Sequence, residues 1–157
     1  MTVLAKGCSE FICIDSKPGI SGSCEQNPSR WLEALQEAVG AALKGDATDL
    51  SNRVLGIGVS GQQHGMVAVD SGGNVLRPCM LWCDTIAVEE AKELTQQAGF
   101  NIPAGYTAPK ILWFKKNEAE LYDKTKMFML PHDYINSVER KCGKWNLLMQ
   151  VEQDCSM

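Results

Sequence analysis

At 157 residues, with 45% hydrophobic and 22% charged content, the chain is long enough to bury a core and suits one globular domain rather than a disordered segment. A formal charge of -4, with no Lys/Arg run longer than two residues, argues against nucleic-acid binding. No apolar run approaches the roughly 18 residues that a bilayer span needs, and no charged segment leading into an apolar one opens the chain, so the expected setting is the cytoplasm, away from membranes.

In chain order, a short apolar run at Phe11–Ile14 ends in Asp15. Asn27 followed by Pro28 then starts a helix, a capping side chain before a residue whose missing N–H costs nothing at the first helical position. That helix is expected to run from Pro28 to about Lys44, with Trp31, Leu35, Ala38, Val39 and Ala42 on one face and Gly45-Asp46 ending it. Val54 to Val59 is almost wholly apolar and reads as a strand covered on both faces. It leads into Gln62, Gln63 and His64, set between Gly61 and Gly65. A hairpin is expected next, Met66 to Val69 pairing with Val75 to Leu81 across the turn Asp70-Ser71-Gly72-Gly73-Asn74.

A second helix is expected from near Asp84 or Thr85, capped by Asp84, with Ala87, Ala91, Leu94 and Ala98 on its apolar stripe and Gly99 as its exit. Thr107 caps a third, which tolerates Pro109 in its first turn. Asn117 with Glu120 three residues on resembles a capping box for a short fourth helix. Lys126 to Leu130 reads as a last strand and Pro131 to Val138 as a last helix, with His132-Asp133 as its capping turn. Strands alternating with helices indicate an α/β arrangement, a mixed sheet flanked by helices.

Polar groups crowded at a strand end point to a ligand, and the two glycines are expected to let backbone and ligand approach closely. Gln amides both donate and accept, as does neutral His through its two ring nitrogens, so Gln62, Gln63 and His64 suit an uncharged polyol. The formal G-x-G-x-x-G at Gly56–Gly61 is not a dinucleotide fingerprint, because no helix opens at its last glycine. The seven cysteines, at 8, 13, 24, 79, 83, 142 and 155, form no C-x-x-C pattern and read as reduced thiols. Cys79 and Cys83 with His64 lack a fourth ligand for zinc, so no metal site is assigned. Trp31, Trp82 and Trp113 sit among apolar residues and are expected in the core.

Four segments, SGQQHG, LRPCMLWCD, GYTAPKILWF and MLPHDYIN, resemble successive signatures of the xylulokinase branch of the FGGY carbohydrate kinases, in the family's order and near its spacing. GSCEQNPSRWLEAL resembles the family's Gly-x-x-Glu-Gln-x-Pro entry into a Trp-containing helix. The resemblance implies a partial ribonuclease H-like (actin-like ATPase) domain of the FGGY type. It also implies a parent enzyme that transfers phosphate from ATP, with Mg2+, to D-xylulose. The family's substrate-contacting pair falls on Gln63 and His64. The first of these is commonly Met in xylulokinases, which leaves ribulose or a glycerol-like polyol as other acceptors.

Residues 1–21 do not reproduce the family's Asp-x-Gly-Thr-Ser phosphate loop, since Ser16-Lys17-Pro18 follows Asp15 where a small Gly/Thr turn belongs. From Ser137 onward the likeness fades, before any catalytic aspartate or second lobe. The expected organisation is a divergent segment over 1–21, a partial sugar-binding lobe over 22–136 and a divergent tail over 137–157. No catalytic, cofactor-binding or metal-binding residue is assigned. The polypeptide is expected to be inactive alone and to serve at most as a non-catalytic sugar- or partner-binding fragment. Loss of a first strand would also leave a sheet edge open to self-association.

Overall fold

The computed structural model describes residues 2–10, 21–44 and 53–141, with side chains up to residue 138. The apolar run ending in Asp15 and the divergent tail beyond residue 141 therefore lie outside the described residues. The chain divides into two compact units, one of residues 1–12, 29–60 and 135–157 and the other of residues 13–28 and 61–134.

In the first unit the principal element is helix α1, Pro28–Ala42, which starts at the proline as its sequence requires and stops two residues short of Lys44. Its Trp31 is buried. Gly7 passes so close to this helix that a Cβ there would strike the Ala38 carbonyl oxygen. The apolar segment 54–59 is not a strand: it carries no ladder partner among the described residues, Leu55 is 99% exposed and Ile57 47%. Apolar content made the segment look like a covered strand. A strand exists only where a neighbour takes up its N–H and C=O groups, and among the described residues none does.

The second unit is built on antiparallel pairs. Strand β1, Glu25–Gln26, pairs with β3, Cys79–Met80, through Glu25↔Met80 and Gln26↔Cys79. Strand β2, Val67–Val69, pairs with β4, Met127–Met129, in the register Val67↔Met129, Ala68↔Phe128 and Val69↔Met127. The expected hairpin is present as the bridges Met66↔Met80 and Val69↔Val75, with bonds from Met66 N–H to the Met80 carbonyl, Leu76 N–H to the Ala68 carbonyl and Asp70 N–H to the Asn74 carbonyl. Its turn is as read: Asp70 Oδ1 accepts the Asn74 N–H at 2.8 Å, and Gly73 takes φ 81°, the left-handed region that glycine enters without strain.

Helix α2, Val88–Ala98, ends at Gly99, whose φ of 76° makes the left-handed C-cap expected of it. The helix starts later than expected, with Ala87 before it, so Asp84 does not cap it. Helix α3, Thr107–Asn117, contains Pro109 in its first turn, and α4, Ala119–Lys124, follows. The Asn117 amide donates to the Trp113 carbonyl at 2.8 Å, within its own helix, so the expected capping box is not formed. Helix α5, Pro131–Lys141, does close its capping turn, because Asp133 Oδ2 reaches back to the Leu130 N–H at 3.3 Å.

Met66, Ala68, Met80 and Phe114 are fully buried and form the core of this unit, with Ile86, Ile111, Trp113, Leu121, Tyr122 and Phe128 against them. Phe114 meets Tyr122 and Phe128 edge-on, with ring centroids 5.9 and 6.1 Å away, an arrangement favoured by the ring quadrupoles. Beside this core Arg77 is buried with Glu25, and its guanidinium lies over the Trp113 and Phe114 rings at 5.6 and 5.4 Å. The Arg77 Nε also lies 3.4 Å from the Glu118 carboxylate, an ion pair without a hydrogen bond at that nitrogen. This pairing makes a two-residue strand of Glu25 and Gln26 worthwhile, since it satisfies a carboxylate that is only 2% exposed.

Candidate functional site

Residues 61–65 leave regular structure just before β2. Gly61 and Gly65 bring the loop close to neighbouring protein. A Cβ at Gly65 would come 2.6 Å from Pro131 Cγ, and one at Gly61 would come 3.1 Å from His132 Cβ and N. The glycines seat the loop against the N-terminus of α5.

Between them His64 adopts φ 60°, a left-handed conformation that costs a non-glycine residue of order 1 kcal/mol or more. Two contacts hold it there. Its ring stacks on Tyr106, centroids 4.2 Å apart and planes 11° from parallel. Its carbonyl accepts a hydrogen bond from Lys110 Nζ at 2.9 Å. His64 is half-buried, Gln63 exposed, and Gln62 half-buried with its Oε1 atom buried and accepting no hydrogen bond. A buried acceptor without a donor is uncommon in folded chains and is the group that a hydroxyl would satisfy.

Lys110 was not singled out by the sequence, yet it is the hub of the site. It has no exposed surface, and its ammonium donates to the carbonyls of His64 at 2.9 Å, Leu81 at 2.6 Å and Gly105 at 2.6 Å. Three donors meet three acceptors, which is the full capacity of the group. Burial pushes its pKa below the usual lysine value, and the nearby Asp84 charge opposes that shift. The legible signal was helical phase: Lys110 lies four residues before the buried Phe114 and so shares its inward face.

Asp84 is also fully buried, its carboxylate accepting the Cys24 N–H at 2.8 Å and the Ile86 N–H at 3.2 Å. It cross-links the Cys24 and Ile86 backbone and does not make the helix cap expected. Trp82, expected in the core, is 60% exposed, and its carbonyl lies where any side chain at Gly105 would have to go. Tyr106 is 45% exposed, so the Lys110 hub brings an exposed indole, a phenol stacked on an imidazole and an unsatisfied amide oxygen onto neighbouring backbone.

Among the described residues no three His, Cys, Asp or Glu side chains cluster as a metal site requires. None of the helices over these residues is entered from a strand through a glycine-rich turn. The groups gathered around His64 are of another kind. They offer neutral donors and acceptors and aromatic faces. No helix of the described residues is long and apolar enough to cross a membrane.

The chain matches the N-terminal domain of the FGGY family of carbohydrate kinases over residues 2–138, and it belongs to that family. It is 40% identical over 129 residues to a xylulose kinase of Haemophilus influenzae, which covers 74% of this chain and 26% of that protein. A xylulose kinase of Bacillus subtilis is 36% identical over 141 residues, 85% of this chain and 28% of the relative. A solved xyloylose kinase from Brucella ovis superposes with a TM-score of 0.72 at 35% identity, over 78% of this chain and 27% of that one. The fold is thus part of the ribonuclease H-like, actin-like ATPase domain of the FGGY kinases. The chain spans about a quarter of the length of the curated relatives that it matches.

Proposed function

We propose that these residues are the acceptor-cradling part of a xylulokinase-type enzyme, whose whole transfers the γ-phosphoryl group of ATP, with Mg2+, to a hydroxyl of D-xylulose in the cytoplasm. The carrying observation is that relatives 33–40% identical over most of this chain are xylulose kinases. In this reading Gln62, Gln63 and His64 present donors and acceptors to the sugar hydroxyls, and the orphaned Gln62 Oε1 accepts a hydrogen bond from one of them. Positioning the acceptor is one of the tasks of phosphoryl transfer, and a site of this kind rejects an analogue lacking a hydroxyl because its own buried groups are left unpaired.

The polypeptide of residues 1–157 taken alone fits a second reading, a non-catalytic sugar-binding piece. It spans 26–28% of these relatives, and no three metal-ligating side chains cluster among its described residues. In this reading the groups that stabilise phosphoryl transfer electrostatically belong to the rest of the enzyme. Calorimetric titration with D-xylulose, D-ribulose and glycerol tests the sugar site, and His64→Ala is expected to weaken the preferred ligand about tenfold, the loss of one to two polar contacts. Unchanged affinity would remove His64 from the site, and no binding of any of the three would remove the reading. A coupled ADP-release assay on the isolated chain is expected to stay at the blank.

A further inference from the structure

We propose that Cys24 and Cys83 form a peroxide-responsive dithiol, a modification site at which hydrogen peroxide joins their two sulfurs in a reversible disulfide. The inference is independent of what the site above binds.

The two Sγ atoms are 2.7 Å apart and share a hydrogen, well inside ordinary sulfur–sulfur contact. The backbone on both sides is already pinned in register. Leu81 N–H donates to the Cys24 carbonyl at 2.9 Å, Thr85 N–H donates to the Gly22 carbonyl at 2.8 Å, and Cys24 N–H donates to the buried Asp84 carboxylate at 2.8 Å. A disulfide bond is about 2.05 Å long, so the sulfurs need close by only roughly 0.7 Å, a movement that side-chain rotation supplies without breaking those bonds. Residues 24 and 83 are 59 positions apart in sequence, and the fold has already met the entropy of closing that loop.

The pair is also divided in exposure as such chemistry needs. Cys83 is half-exposed and can meet a small oxidant, whereas Cys24 is buried behind it. Burial, with the Cys83 thiol beside it, pushes the Cys24 thiol up to about 12, so it stays protonated at neutral pH. The Cys83 thiolate attacks one oxygen of hydrogen peroxide, the O–O bond breaks, and hydroxide leaves, giving the sulfenic acid of Cys83. Cys24 sulfur then attacks the Cys83 sulfur. The S–O bond breaks, and the departing hydroxyl carries away the Cys24 proton as water, so that two thiols and one peroxide become one disulfide and two waters. A dithiol reductant returns both thiols by exchange. The fully buried Cys79 instead donates its Sγ–H to the Met80 carbonyl at 3.5 Å.

The test uses the whole 157-residue chain. It is treated with equimolar hydrogen peroxide, free thiols are blocked with N-ethylmaleimide, and the peptides are sequenced without reduction by mass spectrometry. The expected result is the loss of two blockable thiols, with a Cys24–Cys83 link exceeding every other pairing, and recovery of both thiols with dithiothreitol. In concentrated guanidinium the preference should vanish. In Cys24→Ser the Cys83 sulfenic acid should persist long enough to be trapped by dimedone, and Cys79→Ser should keep the link. Pairing no more frequent than that of other cysteines, or Cys83 passing to sulfinic acid while Cys24 stays blockable, would overturn the proposal, as would no reaction of either sulfur.

Discussion

Lys110 carries a charge with no exposed surface, and the carbonyls of His64, Leu81 and Gly105 compensate it. Lys110→Met keeps the stem and removes the donors, orphaning three carbonyls at about 1–3 kcal/mol each. The expected loss is roughly 3 kcal/mol or more in urea unfolding, with the His64 backbone no longer held in its left-handed conformation. Cys79 is the second buried group with a consequence. Burial raises its thiol from 9.0 to about 12, and Cys24 is raised likewise. Above pH 9 the unfolded chain loses these protons while the folded chain keeps them, so the stability they lend is full below pH 9 and drains as pH rises toward 12. Each contributes a slope of up to about 1.4 kcal/mol per pH unit. Lys110, lowered from 10.5, opposes them only at pH values up to about its unfolded 10.5, and it is one group against two. Urea unfolding under reducing conditions should show a decline from pH 9 to 10.5, and Cys79→Ala should flatten it. Gln62, Gln63 and His64 could be read from sequence because three polar residues interrupt an apolar stretch. Lys110 was marked only by its helical phase, and its bonds to the His64 and Leu81 carbonyls, like that of Asp84 to the Cys24 N–H, could not be foreseen because those partners lie far away in sequence.

The elements divide by where their stabilising bonds come from. Helices α1 to α5 were legible because their hydrogen bonds and caps are local: Pro28 starts the first, Gly99 ends the second, and Asp133 closes the turn into the last. Strands take their bonds from elsewhere in the chain. Glu25–Gln26 is a strand because Arg77 and β3 receive it, and 54–59, richer in strand-forming residues, is not one. The glycines flanking the candidate site belong to this scale too, since they set how closely the 61–65 loop approaches α5. Gly65→Ala would place a Cβ 2.6 Å and 2.9 Å from Pro131 Cγ and Cδ, and a proline ring cannot swing aside as a flexible chain would. The expected cost is about 1–3 kcal/mol of overpacking. It would appear as a lower urea midpoint at unchanged slope. An alanine tolerated without loss would mean that the loop does not rest on α5.

For the molecule as a whole, the segment 54–59 decides how the isolated chain behaves in solution. Val54-Leu55-Gly56-Ile57-Gly58-Val59 has β-branched residues, no charge and no proline, and it lies open with Leu55 almost wholly exposed and no ladder partner among the described residues. An unpaired strand-like backbone flanked by apolar side chains templates pairing with a second chain. Two copies meeting antiparallel along this segment would bury the Leu55 and Ile57 side chains together with the backbone groups. Each fully buried side chain of that size contributes about 1.5–3 kcal/mol. Sedimentation velocity is therefore expected to show association that grows with concentration. Leu55→Lys with Ile57→Lys should return the chain to monomer, because like charges brought face to face across a pair oppose it. The double variant should leave the second unit's stability unchanged, since residues 54–60 belong to the other unit. Association of equal strength in the variant would place the contact on another surface.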